Sequence, residues 1–536
     1  MKQKRISKQE TGITLLTLVI TIVILLILAG ITISAITGDN GIIGNAGQAK
    51  EDAEIANEKE IVEKATVQAM GKNKYGNIVE NELQSELDKE TGEGKTETTD
   101  IGDEIEVLFK ESKRYYLVDK NGNVEGEYPV IEDKNPGDIT VGKNGEVLDG
   151  SEGKEYQIWC IEDLCAFSKS VNEGEDYKGD TIKLMTTLNF NSDLSYSDTN
   201  NKYKYDEVAN AYAIDETSEK TLKELITDTN GVGFIPIGRS SSDVEAKFRG
   251  TFDGNNNEIK NIYVNTANNA GLFGGVFQAT VENIRISGTI MSTENSAGGI
   301  IANGVVTIRN CSNQATIHAK RVAGGIVGEG GWQSQLLEDC YNVGDIYSET
   351  YWAGGIAGSF AKKIINCYNA GNIEGSNDSA GIVAQSAGKI EITNCSNQGK
   401  VKSKSMRSGG IIAYEYDEAT INNCYNTGDI ITEGIGISSV CSKGIGGTYI
   451  NNCYNIGKLE STRKCYAIGD KTITNCYYNS TLTGKVEDEN SITDIRALDK
   501  NEFVNLLNLY KNEEGQYPID WKKWILGEEG YPIFQN

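Results

Sequence analysis

Histidine is nearly missing: the chain of 536 residues has a single one, His318. One imidazole excludes a zinc site built on His-x-x-x-His, and any Ser-His-Asp arrangement would have to be assembled around this one residue. Proline is also scarce, five residues against 60 glycines. Disordered Gly-rich chains usually carry proline too, whereas a molecule made of hydrogen-bonded strands avoids a residue that deletes a ladder N–H. Positive charge is in deficit, because 51 Lys and Arg against 77 Asp and Glu leave a formal net charge of -26. Such a chain is repelled by phosphate backbones, so nucleic acid is not an expected partner.

Charge is absent altogether from Ile13 to Ala35, directly after a leader carrying Lys2, Lys4, Arg5 and Lys8. At 1.5 Å rise this stretch covers about 35 Å, enough to cross a hydrocarbon core of about 30 Å. The basic flank should stay inside, which makes the membrane a partner and places everything after Ala35 outside. The apolar stretch is longer than that of a secretory signal and lacks an Ala-x-Ala cut. Leader and helix together resemble the class III signal of type IV pilins and pseudopilins, in which cleavage follows a Gly and the new chain begins Phe-Thr-Leu-Ile-Glu. The resemblance implies cleavage between Gly12 and Ile13, with Thr14 and Leu15 matching, and other pilin-like subunits as partners. It departs at Thr17, where the family has the glutamate that seats a subunit in a filament, so polymerisation is in question. "TGDNG" at 37–41 would also interrupt the long pilin helix. An uncleaved anchor is the alternative.

The basic leader and membrane helix occupy 1–37, and a small pilin-like α+β region is expected over 38–130. There "AKEDAEIANEKEIVEKATVQAM" (49–70) sets Ile55, Val62, Ala65 and Ala69 on one side of a helix. After a polar stretch, "EIEVLFKESKRYYLVDKNGNVEGE" reads as a hairpin and a third strand. Asp119, Asn121 and Asn123 imitate a calcium loop, but Val124 stands where that loop needs Gly, which favours an Asn-Gly turn. Residues 131–152 are polar and aperiodic, a linker.

From 153 to 484 the chain repeats. Cys311, Cys340, Cys367, Cys395, Cys424, Cys453 and Cys476 recur at intervals near 28 residues. Three residues before each stands Ile or Leu, and six after each stands Ile, Val or Leu. Asn precedes six of these cysteines and Asp339 the seventh; Gly follows four later in five copies. Runs such as "AGGIVG" and "AGGIAG" lie between. Short apolar runs separated by Gly and Asn are strands joined by tight turns, and a unit of this length cannot form a core alone. Stacked in parallel, the units pile like residues into ladders, which gives a mainly-β chain with a β-solenoid of about 28 residues per coil, a right-handed parallel β-helix, of about nine coils. Degenerate copies at 281–290 and 259–264 place Ile284 and Ile262 in the cysteine slot. A slot that accepts Ile as well as Cys is an interior apolar position, so the cysteines read as small hydrophobes, with no metal and no cofactor implied. Cys160 and Cys165 lie in a helical stretch without zinc spacing, and Cys441 and Cys465 fall off the ladder.

Taken together, "YQIWCIEDLCAFSKSVNEG", "IPIGRS", "FRGTFDGNNNEIKNIYV", the Gly-Gly-Ile runs and "GYPIF" resemble proteins with GLUG-motif repeats, found in bacterial surface adhesins and beside IgA-cleaving metallopeptidases. The resemblance implies a surface-exposed β-helix. The metallopeptidase portion is lacking, since no His-Glu-x-x-His can be written with His318 alone. Helical "DLCAFSKSV" (163–171) should cover the first coil, and residues 485–536, with "ALDKNEFVNLLNLY" and "DWKKWIL", the last.

The expectation is a non-catalytic adhesin or ligand-binding protein, single-pass and extracellular, with a glycan or a protein as ligand. Trp332, Tyr347, Tyr351 and Trp352 are its candidate contacts, against turn packing as the plainer role. A minor pilin with a β-helix head is the alternative. An enzyme acting on polysaccharide is a third reading, for which Glu338, Asp339 and Asp345 supply neighbouring carboxylates. "FDGNNNE" (252–258) again suggests a calcium loop, with Glu258 where Gly is needed.

Overall fold

The computed structural model describes residues 42–72, 78–100, 104–129 apart from 113, 140–141, and 155–535 apart from short segments, the longest of which are 439–447 and 480–492. Gly12, Ile13, Thr17, the apolar stretch to Ala35, the 37–41 break and Cys441 lie outside the described residues. No helix among those described is long and apolar enough to cross a membrane. The chain divides into two compact units, Met1–Val130 and Ile131–Asn536.

In the first unit a helix runs Ile42–Lys72, longer than the expected 49–70, and buries Val62, Ala65 and Ala69 fully. Two departures from expectation follow. The polar stretch forms a second helix, Glu80–Thr91, held by Leu83 and Leu87, and the sheet has four antiparallel strands rather than three, because Thr96–Asp100 pairs with Glu104–Phe109. The helix has only two buried leucines among charges, too thin a stripe to stand out as periodic. The Asn-Gly turn forms: Asp119 Oδ1 accepts from the N–H of Asn121 and of Asn123, both at 2.8 Å, while Gly122 takes φ +86°.

The second unit is a solenoid of about 10 turns of about 28 residues. One coil more than the repeats reveal opens it, where Thr181–Leu184 and Leu188–Asn189 pair in parallel with the next coil. A typical later coil contributes a strand to a long-strand sheet (such as Ala357–Ile365), two short strands to a second sheet (Tyr368–Asn369 and Ile373–Gly375), and a strand of two or three residues to a third (Ala353–Gly354). The corner between the first two sheets explains the Asn-Cys pair. Asn310, Asp339, Asn366, Asn394, Asn423, Asn452 and Asn475 all adopt φ between +49° and +55°, a left-handed turn that Asn and Asp tolerate best after glycine. The turn sends the following cysteine inward. All seven ladder sulfurs are buried, in one column with Ile262 and Ile284, which replace them in the older copies.

Two amide ladders brace the stack in opposite directions. Along the corner, each asparagine donates to the preceding coil, as from Asn423 to Asn394 at 2.8 Å and from Asn452 to Asn423 at 2.8 Å, while Asp339 only accepts. Inside, Asn313, Asn342, Asn369, Asn397 and Asn426 each donate to the following coil at 2.7–2.8 Å, ending on Asn455. Each inner amide also reaches the carbonyl two residues on, as Asn369 Nδ2 does to Gly371 O at 2.9 Å. That carbonyl belongs to the repeat glycine, which must be glycine because a Cβ on Gly371 would run into the carbonyl of Gly344.

The helix Ile161–Asn172 packs on the start of the solenoid, where Phe167 meets the rings of Tyr177 and Phe248 edge-on at 5.2 and 5.5 Å. The C-terminal segment departs from expectation. Instead of closing only the last coil, it returns along the side of the solenoid. Its Phe503, Leu507 and Trp524 pack on Tyr425, Tyr454 and Tyr477, one tyrosine from each of three coils, and Lys522 N donates to Asn394 Oδ1 at 3.0 Å one coil further back. The exposed tyrosine column attracts it, since a bare coil end offers strand edges but no comparable apolar area.

Candidate functional site

The ladder cysteines are accounted for by packing. Each thiol donates to the carbonyl two residues earlier, for example Cys424 to Asn422 O at 3.0 Å, and burial pushes the Cys311, Cys367 and Cys424 thiols up from their ordinary range. Ten cysteines are free thiols among the described residues. Cys465 is buried in the same core, in the third sheet, and Cys160 opens the Ile161–Asn172 helix. No group of three or more His, Cys, Asp or Glu among the described residues is placed to hold a metal ion.

The four aromatic candidates do not form one patch. Tyr347 projects from the second sheet, where His318 lies against it at 4.5 Å between ring centroids and Lys404 Nζ sits 5.0 Å above the ring. Tyr351 pairs with the Arg321 guanidinium at 5.7 Å. Trp332 and Trp352 instead line a groove of about 600 Å³ over the long-strand sheet.

This groove is built from one or a few residues per coil. Lys247, Phe277, Asn303, Glu329, Ser359, Gln385 and Tyr416 line it from seven successive coils. Parallel register puts Asn303, Glu329, Ser359 and Gln385 directly beside one another along its floor. Gly304, Gly330 and Gly331 lie beside the polar row, and Gly330 also makes room in the core beneath, where a Cβ would meet the buried Phe360 ring at 2.6 Å. Where the coils on either side continue as single long strands, Ile301–Arg309 and Ala357–Ile365, the coil of Trp332 is interrupted between Val327–Gly330 and Leu336–Glu338. The interruption lifts Trp332 into solvent, 78% exposed. Trp332 follows a floor strand and Trp352 precedes the next, so an indole stands at either end of the floor strands.

Polar groups of the floor are held from behind. Glu329 Oε2 accepts from Ser296 Oγ at 3.2 Å. Gln385 Nε2 donates to Asp378 Oδ2 at 2.9 Å, and Asp378 is gripped by Arg407 through two bonds, Nε to Oδ1 at 2.8 Å and a second guanidinium nitrogen to Oδ2 at 3.0 Å. Arg407 in turn lies 3.5 Å from the ring centroid of Tyr414. The result is a Gln385 side chain with no freedom to turn, and its Oε1, buried, has no hydrogen-bond partner. An unpaired buried amide oxygen costs about 1–3 kcal/mol.

Of the residues singled out in the sequence, Trp332 and Trp352 line the groove, whereas the floor residues were not singled out. The signal was present as the polar residue two places after the apolar position that ends each Gly-rich run: Asn303, Glu329, Ser359 and Gln385. The carboxylates singled out as neighbours serve the stack instead, outside the groove. Glu338 pairs with Arg309 at 3.4 Å, Asp339 accepts from Asn366 Nδ2 at 2.9 Å, and Asp345 accepts from the Asn372 N–H at 2.9 Å. Asp253, in the suspected calcium loop, accepts from the Asn255 N–H at 2.8 Å and from Asn283 Nδ2 at 2.9 Å.

No family model matches the chain. Over 143 residues it is 31% identical to halomucin of Haloquadratum walsbyi, a match that covers 24% of this chain and 2% of that protein's length. Among solved structures it is similar to a candidate immunoglobulin A1 protease from Bacteroides ovatus, with 16% identity and a TM-score of 0.39 over 71% of this chain and 92% of the other.

Proposed function

We propose that this protein is a cell-surface β-solenoid that binds an extracellular ligand without transforming it, anchored by Ile13–Ala35 with residues 153–536 displayed outward. The observation that carries this reading is the solvent-open groove across seven coils, with tryptophans at its rim and a braced polar floor. Rigid aromatic and polar groups on stacked strands are suited to recognition, because little side-chain entropy remains to be lost on binding. Hydrolysis of a glycosidic bond needs a pair of carboxyl groups at fixed separation, and among the described residues Glu329 is the one carboxylate lining the groove. The resemblance to GLUG-motif surface proteins supports the same reading.

An array of glycans and extracellular-matrix proteins probed with the full chain tests it. Binding to at least one class is the expected result, and a uniformly blank array overturns the reading. The pilin-like signal favours a second role as a minor pilin subunit. Mass spectrometry of the mature protein decides this, since a chain beginning at Ile13 supports it and an intact Met1 leaves a plain anchor.

A further inference from the structure

We infer that the groove binds an uncharged linear polysaccharide laid along the solenoid axis, with successive sugars over successive coils. This rests on the ligand-binding reading above and names the ligand class.

Shape gives the first argument. Seven coils at about 4.8 Å per step make a floor about 29 Å long, far longer than a monosaccharide or a small cofactor requires. Its chemistry repeats with the coil, Asn303, Glu329, Ser359 and Gln385 presenting one polar side chain per step. A ligand that repeats on nearly the same length, as an extended chain of pyranose rings does, can offer a hydroxyl to each.

Aromatic placement gives the second. Trp332, Trp352, Phe277 and Tyr416 line the groove around a polar floor. Flat apolar rings beside hydrogen-bonding groups match a sugar, whose ring faces are C–H and whose edges are O–H. Trp332 is held in water rather than packed, although an indole exposed to this extent gains nothing for the fold.

The unsatisfied group is the third and independent argument. Gln385 is 4% exposed, braced through Asp378 and Arg407, and its Oε1 lacks a donor. The Nε2 side is fixed by a carboxylate, so Gln385 Oε1 is the amide atom of the floor left without a protein donor, and a small shift of the side chain would bring it to a sugar hydroxyl.

Charge narrows the class. Among the described residues the groove holds one cation, Lys247, and one anion, Glu329, on a chain of net charge -26. Polyuronates, sulfated glycans and nucleic acids would face repulsion with no basic cluster to offset it. An extended peptide is disfavoured because the floor strands are already paired on both sides and offer no free edge for strand addition.

The test is titration calorimetry and tryptophan fluorescence on the full chain purified in detergent. The probes are linear neutral hexasaccharides (β-1,4-glucan, β-1,3-glucan, β-1,4-mannan, chitin-type and α-1,4-glucan), their trisaccharides, and oligogalacturonate as the acidic counterpart. The inference expects at least one neutral hexamer to bind and shift indole fluorescence, its trimer to bind at least tenfold more weakly, and oligogalacturonate not to bind. Trp332→Ala should weaken the hexamer at least tenfold and Gln385→Leu severalfold, whereas Tyr347→Ala, on another face, should leave it unchanged. Because Trp332 is solvent-exposed, its variant keeps the fold, which circular dichroism verifies. Absence of binding by every neutral hexamer, preference for the acidic one, or binding indifferent to Trp332→Ala overturns the inference. If the array meanwhile reports a protein ligand, the ligand-binding reading survives and this one alone fails; a blank array removes both.

Discussion

Trp524 Nε1 donates to Asn423 Oδ1 at 2.7 Å across 101 residues of chain. This bond ties the C-terminal segment to the corner ladder, whose Asn423 Oδ1 already receives the Asn452 amide at 2.8 Å. The same indole packs against the rings of Tyr425 and Tyr454 at 5.8 and 5.6 Å. A repeat column that would otherwise present bare tyrosines to water is thereby covered by the chain's own end.

Trp524→Ala should therefore cost about 3–5 kcal/mol, the range for deleting a buried aromatic, and release the segment locally. Limited proteolysis reads it out: cleavage within 495–536 should speed up while the coils around Cys340 stay protected. Unchanged protection of the segment would falsify the strap.

Asn369→Ala removes one rung of the inner ladder, leaving Asn397 Oδ1 and Gly371 O each without a donor in a fully buried site. A loss of about 2–4 kcal/mol is expected, measured as a lowered denaturation midpoint. Asn366→Ala, on the exposed corner, should cost about 1 kcal/mol, most of it from the left-handed backbone. Equal costs at the two sites would contradict the ladder assignment.

Gly371→Ala should destabilise severely, by about 3 kcal/mol or more, because its Cβ meets the carbonyl of Gly344 and forces adjacent coils apart. Gly71, in the first helix with nothing within 4 Å, is the control, and Gly71→Ala should be neutral or slightly stabilising. Soluble yield and thermal midpoint of the two variants give the comparison.

The ladder thiols predict an alkaline limit. Burial raises the folded-state values of Cys311, Cys367 and Cys424 above the ordinary thiol value of about 8.5. Below that value both folded and unfolded chains keep the proton, and the stabilising contribution is whole. Above it the unfolded chain ionises while the buried thiol does not, so stability falls as pH rises toward the folded value. Urea unfolding at pH 10 should show lower stability than at pH 8, and Cys367→Val should reduce the difference. The native protein should also resist thiol alkylation at pH 8 and react only in denaturant. Rapid native-state alkylation of Cys367 would contradict the interior column.

The repeat's meaning was legible because it depended on local chemistry. A cysteine slot that accepts Ile262 and Ile284 had to be interior, and Asn before it had to serve a turn; the φ values near +55° at those asparagines agree. The Glu80–Thr91 helix was not legible, since its two leucines stabilise it only through a tertiary core shared with Val62, Ala65 and Ala69 of the first helix and with the sheet. The lateral strap was hidden for a related reason: Phe503 and Trp524 read as apolar, but nothing in their neighbours says that the surface they seek is a column of tyrosines from three coils.

By itself, then, the amino-acid sequence determined the coil, its period, its turns and its greasy interior, because each follows from residues a few positions apart and is repeated until unmistakable. Stacking alone decided the groove. Asn303, Glu329, Ser359 and Gln385 stand 26 to 30 residues apart along the chain and become neighbours only when parallel register lays one coil on the next. Trp332 and Trp352 stayed together in the groove while Tyr347 went to another face, since alternation and corners, not proximity in the chain, choose the side of a solenoid on which a residue emerges.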